Sequence, residues 1–330
     1  MEEMLSSIVN LLQKEDNFLI TAHIRPEGDS IGSQLAMAIL LQKLGKQVTI
    51  INEDSPPELY RFLPQCEKIL TYCPEYERSR FDVAIVLDCN QFERVGKVAS
   101  IVKNTPVIIN IDHHPDSPGI GKYNYMDTKA SACAEQVYMV IKAMHFNLDY
   151  ELALPVYVGI MTDTGNFKQV NTTPLSHQIV AELLGYGIAP NEIANQIYEV
   201  NTVSSVKLLG MILSSLKTRQ GGRIAITTIT QSMLKEIGFT TELEPERIID
   251  QVRSIKGVEI SLLFRDLGQN SDLGRNKVKV NLRSKTSFNV SEIAKIFDGG
   301  GHIRAAGCVI EGTLQEVERK VVDEIEKRLI

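Results

Sequence analysis

No run of apolar residues in this sequence approaches the ~20 needed to cross a bilayer, so nothing in it reads as a transmembrane helix. It has no CxxC pair. Cys66, Cys73, Cys89, Cys133 and Cys308 are scattered, several of them in or beside apolar runs, which reads as reduced, buried thiols. The acidic, amphipathic start MEEMLSSIVNLLQKEDN is unlike a signal peptide, and with the cysteine pattern it leads to the expectation of a cytoplasmic location. A basic excess is also missing. With 35 Lys and Arg against 41 Asp and Glu, the formal net charge is −6, whereas a protein that coats long DNA or RNA usually carries a positive surplus. That balance leaves room for a short anionic substrate held at a metal or a local basic site. No internal repeat and no low-complexity tract is visible.

What is present is a globular composition, 43% apolar and 23% charged, over 330 residues. That length suggests two domains. In the first half, FLITAH (18–23), QVTIIN (47–52), FDVAIVLD (81–88) and PVIINID (106–112) read as strands. SIGSQLAMAILLQKLG (30–45), with Ile31, Leu35, Ile39, Leu40 and Leu44 at helical spacing, reads as a helix with a broad buried face. Continuous β-branched runs separated by helices predict an α/β fold with a doubly wound parallel sheet. Residues 131–144 and 151–163 read as further helices. The expected division is a first domain at 1–188, a helical linker at 189–216 and a smaller α/β domain with a mixed sheet at 217–330. In the last of these, RIAITTI, VEISLLFRD, KVKVNLRSK and AAGCVIEG are strand candidates. PERIIDQVRSI, SEIAKIF and TLQEVERKVVDEIEKRLI are helix candidates, the last with Leu314, Val317, Val321, Ile325 and Leu329 on one face.

In open α/β sheets, ligands bind beyond the carboxyl ends of the strands. Here one strand ends in His23 and continues to Glu27 and Asp29, another ends in Asp88, and a third ends in Asp112, His113 and His114. A fourth segment, GIMTDTGNF, places Asp163 after an apolar helix. A lone Asp at a strand end is usually structural; four segments converging on one edge point instead to a metal centre. Carboxylates with imidazoles and no thiolates suit Mn²⁺, Fe²⁺, Co²⁺ or Zn²⁺, and the carboxylate excess favours Mn²⁺. Two such ions ~3.5–4 Å apart can activate water and clamp a phosphoryl group. Asp112 reads better as the partner that orients a neighbouring histidine than as a ligand. His145 and His177 lie outside the clusters and read as ordinary histidines. Asp82 begins a strand, at the wrong edge.

The second half has its own constellation. FDGGGHIRAAG (297–307) offers three glycines whose backbone N–H groups could approach an anion, with His302 and Arg304 beside them. Arg283 and Ser284 in LRSK add donors suited to phosphate. A flexible turn is the alternative for the glycines.

Taken together, HxxPxGDSIGS (23–33), the strand ending in Asp88, IDHH (111–114), TDTGNF (162–167) and GGGHxxAAG (299–307) resemble the DHH phosphoesterase superfamily. More narrowly, the chain is similar to its oligoribonuclease/pAp phosphatase (nanoRNase-like) type, which carries a DHH-associated C-terminal domain. The resemblance implies two divalent ions, Mn²⁺ by preference, that share Asp88. His23 and Glu27 would complete one, and Asp29, His113 and Asp163 the other. It implies a hydroxide between the ions as nucleophile and His114 close to the reacting phosphate. Substrates would be short oligoribonucleotides, 3′-phosphoadenosine 5′-phosphate (pAp), the dinucleotide pApA or cyclic di-AMP. Gly299, Gly300, Gly301, His302, Arg283 and Ser284 would hold the nucleotide. Arg94 is a candidate phosphate contact, or equally a surface charge at a helix start. Neither a long duplex nor a membrane is an expected partner; a homodimer is.

Two positions depart from the family pattern. Glu27 stands where Asp is usual, a carboxylate displaced by roughly the ~1.5 Å of one carbon–carbon bond, and Asp298 stands where a fourth glycine is common. A RecJ-like single-strand exonuclease remains as an alternative, as does a nucleotide sensor whose catalysis is weakened by Glu27. Decay to a sensor would more often scatter losses among His23, Asp29, Asp88, His113, His114 and Asp163, and all six are present.

Overall fold

Along the sheet strands of the first half, alternate apolar side chains go to opposite faces, and each face finds its own helical cover. The computed structural model of the chain describes residues 1–115, 117–199, 201–238, 245–269 and 276–329, which form two units, Met1–Val200 and Asn201–Ile330. In the first unit, α1 (Glu2–Lys14) leads to β1 (Asn17–Thr21), α2 (Gly28–Lys43), β2 (Gln47–Asn52) and β3 (Ile69–Thr71). Next come β4 (Val83–Leu87), the short helices α3 (Phe92–Val95) and α4 (Ala99–Lys103), β5 (Val107–Asp112) and β6 (Tyr123–Met126). Four helices follow: α5 (Cys133–Ala143), α6 (Tyr150–Asp163), α7 (Pro174–Leu184) and α8 (Pro190–Tyr198). The strands form one sheet in the order β3-β2-β1-β4-β5-β6, every pair parallel.

Phe18, Ile20, Val83, Ile85 and Leu87 face a core shared with α2, α5 and α6. Their neighbours Leu19, Ala84 and Val86 face a second core with Val95, Val98, Ile101 and Val102. This two-sided burial is why VAIVL reads as an unbroken apolar run. Helix α2 is buried at every position from Gly28 to Leu41, so it lies inside the unit and is packed on every side. Close approach of α6 to α2 depends on Gly32, where a Cβ would run into the carbonyl oxygen of Pro155.

The second unit comprises α9 (Val203–Ser214), β7 (Lys217–Arg219), β8 (Ile224–Ile229), α10 (Gln231–Ile237), α11 (Pro245–Arg253), β9 (Ile260–Gln269), β10 (Asn276–Ser284), α12 (Val290–Ile296), β11 (Gly300–His302), β12 (Ala305–Glu311) and α13 (Leu314–Glu326). Its sheet, in the order β11-β12-β10-β9-β8-β7, is mixed: β8 and β9 run parallel and the other pairs antiparallel. One face packs Ile226, Leu262, Phe264, Val280 and Leu282 against Val317, Val321 and Ile325 of α13, on the helical face read from the sequence. The expected helix ran on to Ile330, which lies outside the described residues.

The stretch expected as a helical linker, 189–216, divides between the units: Ile193 and Ile197 of α8 belong to the first core, and Leu208 and Ile212 of α9 join the second unit beside Ile229 and Leu263. Both helices are amphipathic and each buries its stripe in the nearer core; Val200, within the expected linker, lies outside the described residues. The glycine run, for which a flexible turn was the alternative reading, contributes β11, an exposed edge strand in which Gly300, Gly301 and His302 pair with Gly307, Ala306 and Ala305. Gly301 has φ +137, and a Cβ there would meet the carbonyl of Ala305 at 2.5 Å, so glycine is required by the strand pairing itself.

Candidate metal centre

The order of the first sheet reverses between β1 and β4: earlier strands lie to one side, later ones to the other. That switch point is where open α/β sheets bind ligands. β1, β4 and β5 are neighbours, so their carboxyl ends deliver His23, Asp88 and the Asp112-His113-His114 run side by side. α2 begins at Gly28, directly after Glu27, and α6 ends at Asp163. A Cβ at Gly28 would collide with the side chain of Thr162, so the two helix ends carrying these acids are in van der Waals contact.

Asp88 sits at the middle. Its Oδ2 is 3.4 Å from His23 Nε2 and its Oδ1 is 3.6 Å from His113 Nε2. One carboxylate thus faces a histidine with each oxygen. The backbone is left-handed here, φ +53, a conformation that a non-glycine residue holds at a cost of about 1–3 kcal/mol. Fully buried Asn110 supports that bend by donating to the carbonyls of Val86 and Cys89, at 3.2 and 3.1 Å. His113 Nε2 is the meeting point on the other side, 3.8 Å from both Asp29 Oδ2 and Asp163 Oδ2. Asp29 is held by the start of α5: Oδ2 accepts from the N–H of Cys133 at 2.6 Å and Oδ1 from that of Ala134 at 2.8 Å. A helix N-terminus favours such a charge. Asp112, fully buried, accepts at Oδ1 from the N–H of His113 at 2.9 Å and faces His114 Nδ1 at 2.7 Å. A carboxylate oxygen accepts only, so this contact places a proton on His114 Nδ1 and leaves Nε2 as the ring nitrogen not engaged by Asp112. The same logic puts a proton on His23 Nδ1, against the carbonyl of Ile24 at 2.7 Å.

Charge is crowded here. Burial, then the charges of Asp88 and Asp163, raise the Asp29 carboxyl well above its ordinary range. Burial pushes Asp163 up to about 6, with Asp88 and Glu27 adding to it and His113 partly offsetting it. For Asp88, burial is outweighed by the imidazoles of His113 and His23, and its carboxyl is lowered. For His113, burial opposes the charged ring, but Asp88, Asp29 and Asp163 outweigh it and raise the ring to about 10. His23 is raised too, with burial opposing and Asp88 prevailing. Three carboxylates packed this closely call for positive charge, which the raised imidazoles of His113 and His23 answer with protons and a bound cation would answer in their place. Asp88 Oδ1 is moreover buried with no hydrogen-bond partner among the described residues. The residues therefore fit divalent cations. Among the described residues two groupings are compact enough to hold one: Asp29, His113 and Asp163; and Asp88, His113 and His114. Glu27, exposed at the start of α2, lines a cavity of about 140 Å³ together with Asp29, Asp88 and Asp163.

The sequence pattern of the N-terminal domain of the DHH family matches residues 17–160, and that of the DHHA1 domain matches residues 233–330. Over 320 residues the chain is 31% identical to the bifunctional oligoribonuclease and PAP phosphatase NrnA of Thermus thermophilus, an alignment covering 96% of this chain and 91% of that one. This chain belongs to the DHH family. The NrnA of Bacillus subtilis, another of its relatives, is 25% identical, with 97% of each chain covered. Among solved structures, an exopolyphosphatase-related protein from Bacteroides fragilis matches with a TM-score of 0.89 at 26% identity, over 100% of this chain and 98% of that one. RecJ of Thermus thermophilus shares the fold at a TM-score of 0.55 and 11% identity, this chain spanning 55% of it.

Within this DHH-family chain, the remaining expected residues divide. Arg94 is half-buried on α3; its carbonyl accepts from Ile24 at 2.6 Å, its guanidinium lies 3.4 Å from Asn90 Oδ1, and its charge is felt at His23. In the second unit, Arg283 aligns with Ala305 and Ala305 with His302, so Arg283 and His302 share one sheet face across three strands. Ser284 is a correction. As the next residue of β10 it points to the opposite face, is fully buried, and its hydroxyl donates to the carbonyl of Thr286 at 3.3 Å, so its side chain is not presented with that of Arg283. Asp298 has φ +55, which accounts for the usual glycine at that position and for the tolerance of Asp. Sequence reasoning missed Tyr60, Ile197 and Tyr198, which line the metal-side cavity; nothing in their spacing marks them. It also missed Asn171, which bonds Asp163.

Proposed function

We propose that the chain is a Mn²⁺-dependent phosphoesterase acting on short nucleotides: oligoribonucleotides of a few residues, pAp, pApA or cyclic di-AMP. The observation that carries this reading is Asp88, one buried carboxylate with an oxygen toward His23 and the other toward His113. That is the disposition expected of a ligand shared by two ions. The names of the full-length relatives as oligoribonuclease and PAP phosphatase support the substrate class.

His23, Glu27 and Asp88 would hold one ion, and Asp29, Asp88, His113 and Asp163 the other. When bound, the ions supply Lewis-acid charge to the phosphoryl group and lower the pKa of water. The chain's own residues do the rest. Asp112 fixes the ring of His114 with a proton on Nδ1, so that Nε2 is the atom available for a proton at the substrate phosphate. Buried Asp29, anchored on α5, and Asp163, at the end of α6, keep a fixed carboxylate geometry, and positioning within about an ångström is what such catalysis needs. In the second unit, His302 and Arg283 offer cationic or donor groups on one sheet face. Ala305, Gly300 and Gly307 leave that face low enough for a base or phosphate to approach the backbone. Arg94 would steady a phosphate beside His23. A location in the cytoplasm fits this substrate class, and no helix among the described residues is long and apolar enough to cross a membrane.

The test is hydrolysis by purified protein with added Mn²⁺, offering pAp, pApA, cyclic di-AMP and a five-nucleotide RNA side by side. Turnover of at least one, lost on chelation, is expected, and the ranking assigns the substrate. Nucleotide binding without any turnover would overturn the reading in favour of a sensor.

A further inference from the structure

Asn171 lies on the loop between α6 and α7, outside every motif with metal-ligand spacing. Its amide nitrogen reaches three acceptors: the carbonyl of Ser131 at 2.8 Å, Asp163 Oδ2 at 3.0 Å and the carbonyl of Asp163 at 3.2 Å. All three are oxygens without a proton, so the orientation of the amide is determined; turning it over would set Oδ1 against three acceptors.

The loop needs such a tie. Directly after α6 the chain passes through Gly165, Asn166 and Phe167 at φ +57, +58 and +62. Two non-glycine residues in a row are left-handed, a conformation that persists only where its surroundings hold it. Thr164 Oγ1 accepts from the Phe167 N–H at 3.2 Å on one side of the bend; Asn171 closes the other. Ser131, the second residue tied, comes two positions before Cys133, whose N–H holds Asp29. One amide therefore links the end of α6 that carries Asp163 to the segment anchoring Asp29, and both carboxylates face His113 Nε2.

We propose that Asn171 is a positioning residue of the metal centre: its N–H fixes the rotamer of Asp163 and thereby the carboxylate oxygen presented beside His113 and Asp29. This inference rests on the reading of Asp163 as a metal ligand.

The experiment is calorimetric titration of chelator-stripped, full-length protein with Mn²⁺, alongside thermal unfolding of the same metal-free samples. The proteins are wild type, Asn171→Ala, Asn171→Leu, which keeps the size but cannot donate, and Asp163→Asn. Loss of a partner that orients a ligand typically costs 10–100-fold in metal affinity. Asn171→Leu and Asn171→Ala are therefore expected to weaken one ion by about that factor and leave the other within about twofold of wild type. Should the alanine variant not fold, the leucine variant carries the test. Wild-type affinity for both ions in a folded Asn171 variant, while Asp163→Asn loses one, would overturn the positioning role. Undiminished binding of both ions by Asp163→Asn would show instead that the ligand assignment beneath it has failed.

Discussion

Replacing Asp112 by Asn changes little in shape and much in charge, and the effect should appear in turnover but not in metal content. Asp112 Oδ1 accepts from the N–H of His113 at 2.9 Å and of His114 at 3.3 Å, and faces His114 Nδ1 at 2.7 Å. Hydrogen bonds to a charged group contribute about 1.5–3 kcal/mol, neutral ones about 0.5–1.5 kcal/mol. The amide oxygen of Asn can still accept, so the imidazole of His114 loses about 1–2 kcal/mol of its hold, a factor of roughly 5–30. With Mn²⁺ and pAp, Asp112→Asn should therefore lower kcat by roughly 5- to 30-fold, with KM and the number of bound ions unchanged. A second consequence concerns folding. Asp112 Oδ2 is buried without a partner among the described residues, so the amide group that replaces it gains no acceptor there. An unsatisfied buried donor costs about 1–3 kcal/mol, visible as a lower melting temperature of the metal-free protein. A kcat equal to wild type would refute the role given to Asp112, and loss of an ion would make it a ligand instead.

Asp88→Asn removes the charge facing both His23 and His113 and should abolish Mn²⁺-dependent turnover; near-normal activity would sink the two-ion model. Glu27→Gln keeps the length of the side chain, removes its charge, and should lower Mn²⁺-dependent turnover by at least the roughly 10–100-fold typical of losing a partner that merely orients a ligand. An unchanged rate would show that Glu27 is not a ligand. His302→Ala should raise KM for nucleotides and leave calorimetric Mn²⁺ binding intact, whereas released metal would contradict the assignment of metal and nucleotide to different units. Gly32→Ala forces a methyl group against the carbonyl of Pro155 and should destabilise the metal-free protein by about 1–3 kcal/mol in urea unfolding. A midpoint at the wild-type value would mean that α2 and α6 have room to separate.

Much of the site could be seen in the sequence because the fold concentrates it. FLITAH, FDVAIVLD and PVIINID are strands buried on both faces, so their apolar runs stop where the chain leaves the sheet, and the acids and histidines at 23, 88 and 112–114 stand out. Other elements carry no such mark. β3 is three residues long and β6 is only half-buried, so neither shows an apolar run. β11 is made of two glycines and a histidine, and a strand without side chains has no alternation to detect. Ser284 and Arg283 are adjacent in sequence yet occupy opposite faces of β10, which becomes plain only once register is known. Asn171 acts through an amide placed by a left-handed bend, a geometry that no spacing rule anticipates. The helices at 190–198 and 203–214 suggested a connector because their composition differs from what precedes them, but their apolar stripes settle into the two cores.

Crystals grown with Mn²⁺, examined by anomalous scattering, would decide whether one carboxylate serves two ions. Two peaks about 3.5–4 Å apart are predicted, one on the His23 side of Asp88 and one among His113, Asp29 and Asp163, with an oxygen of Asp88 on each. A single peak, or two peaks that do not share Asp88, would contradict the account.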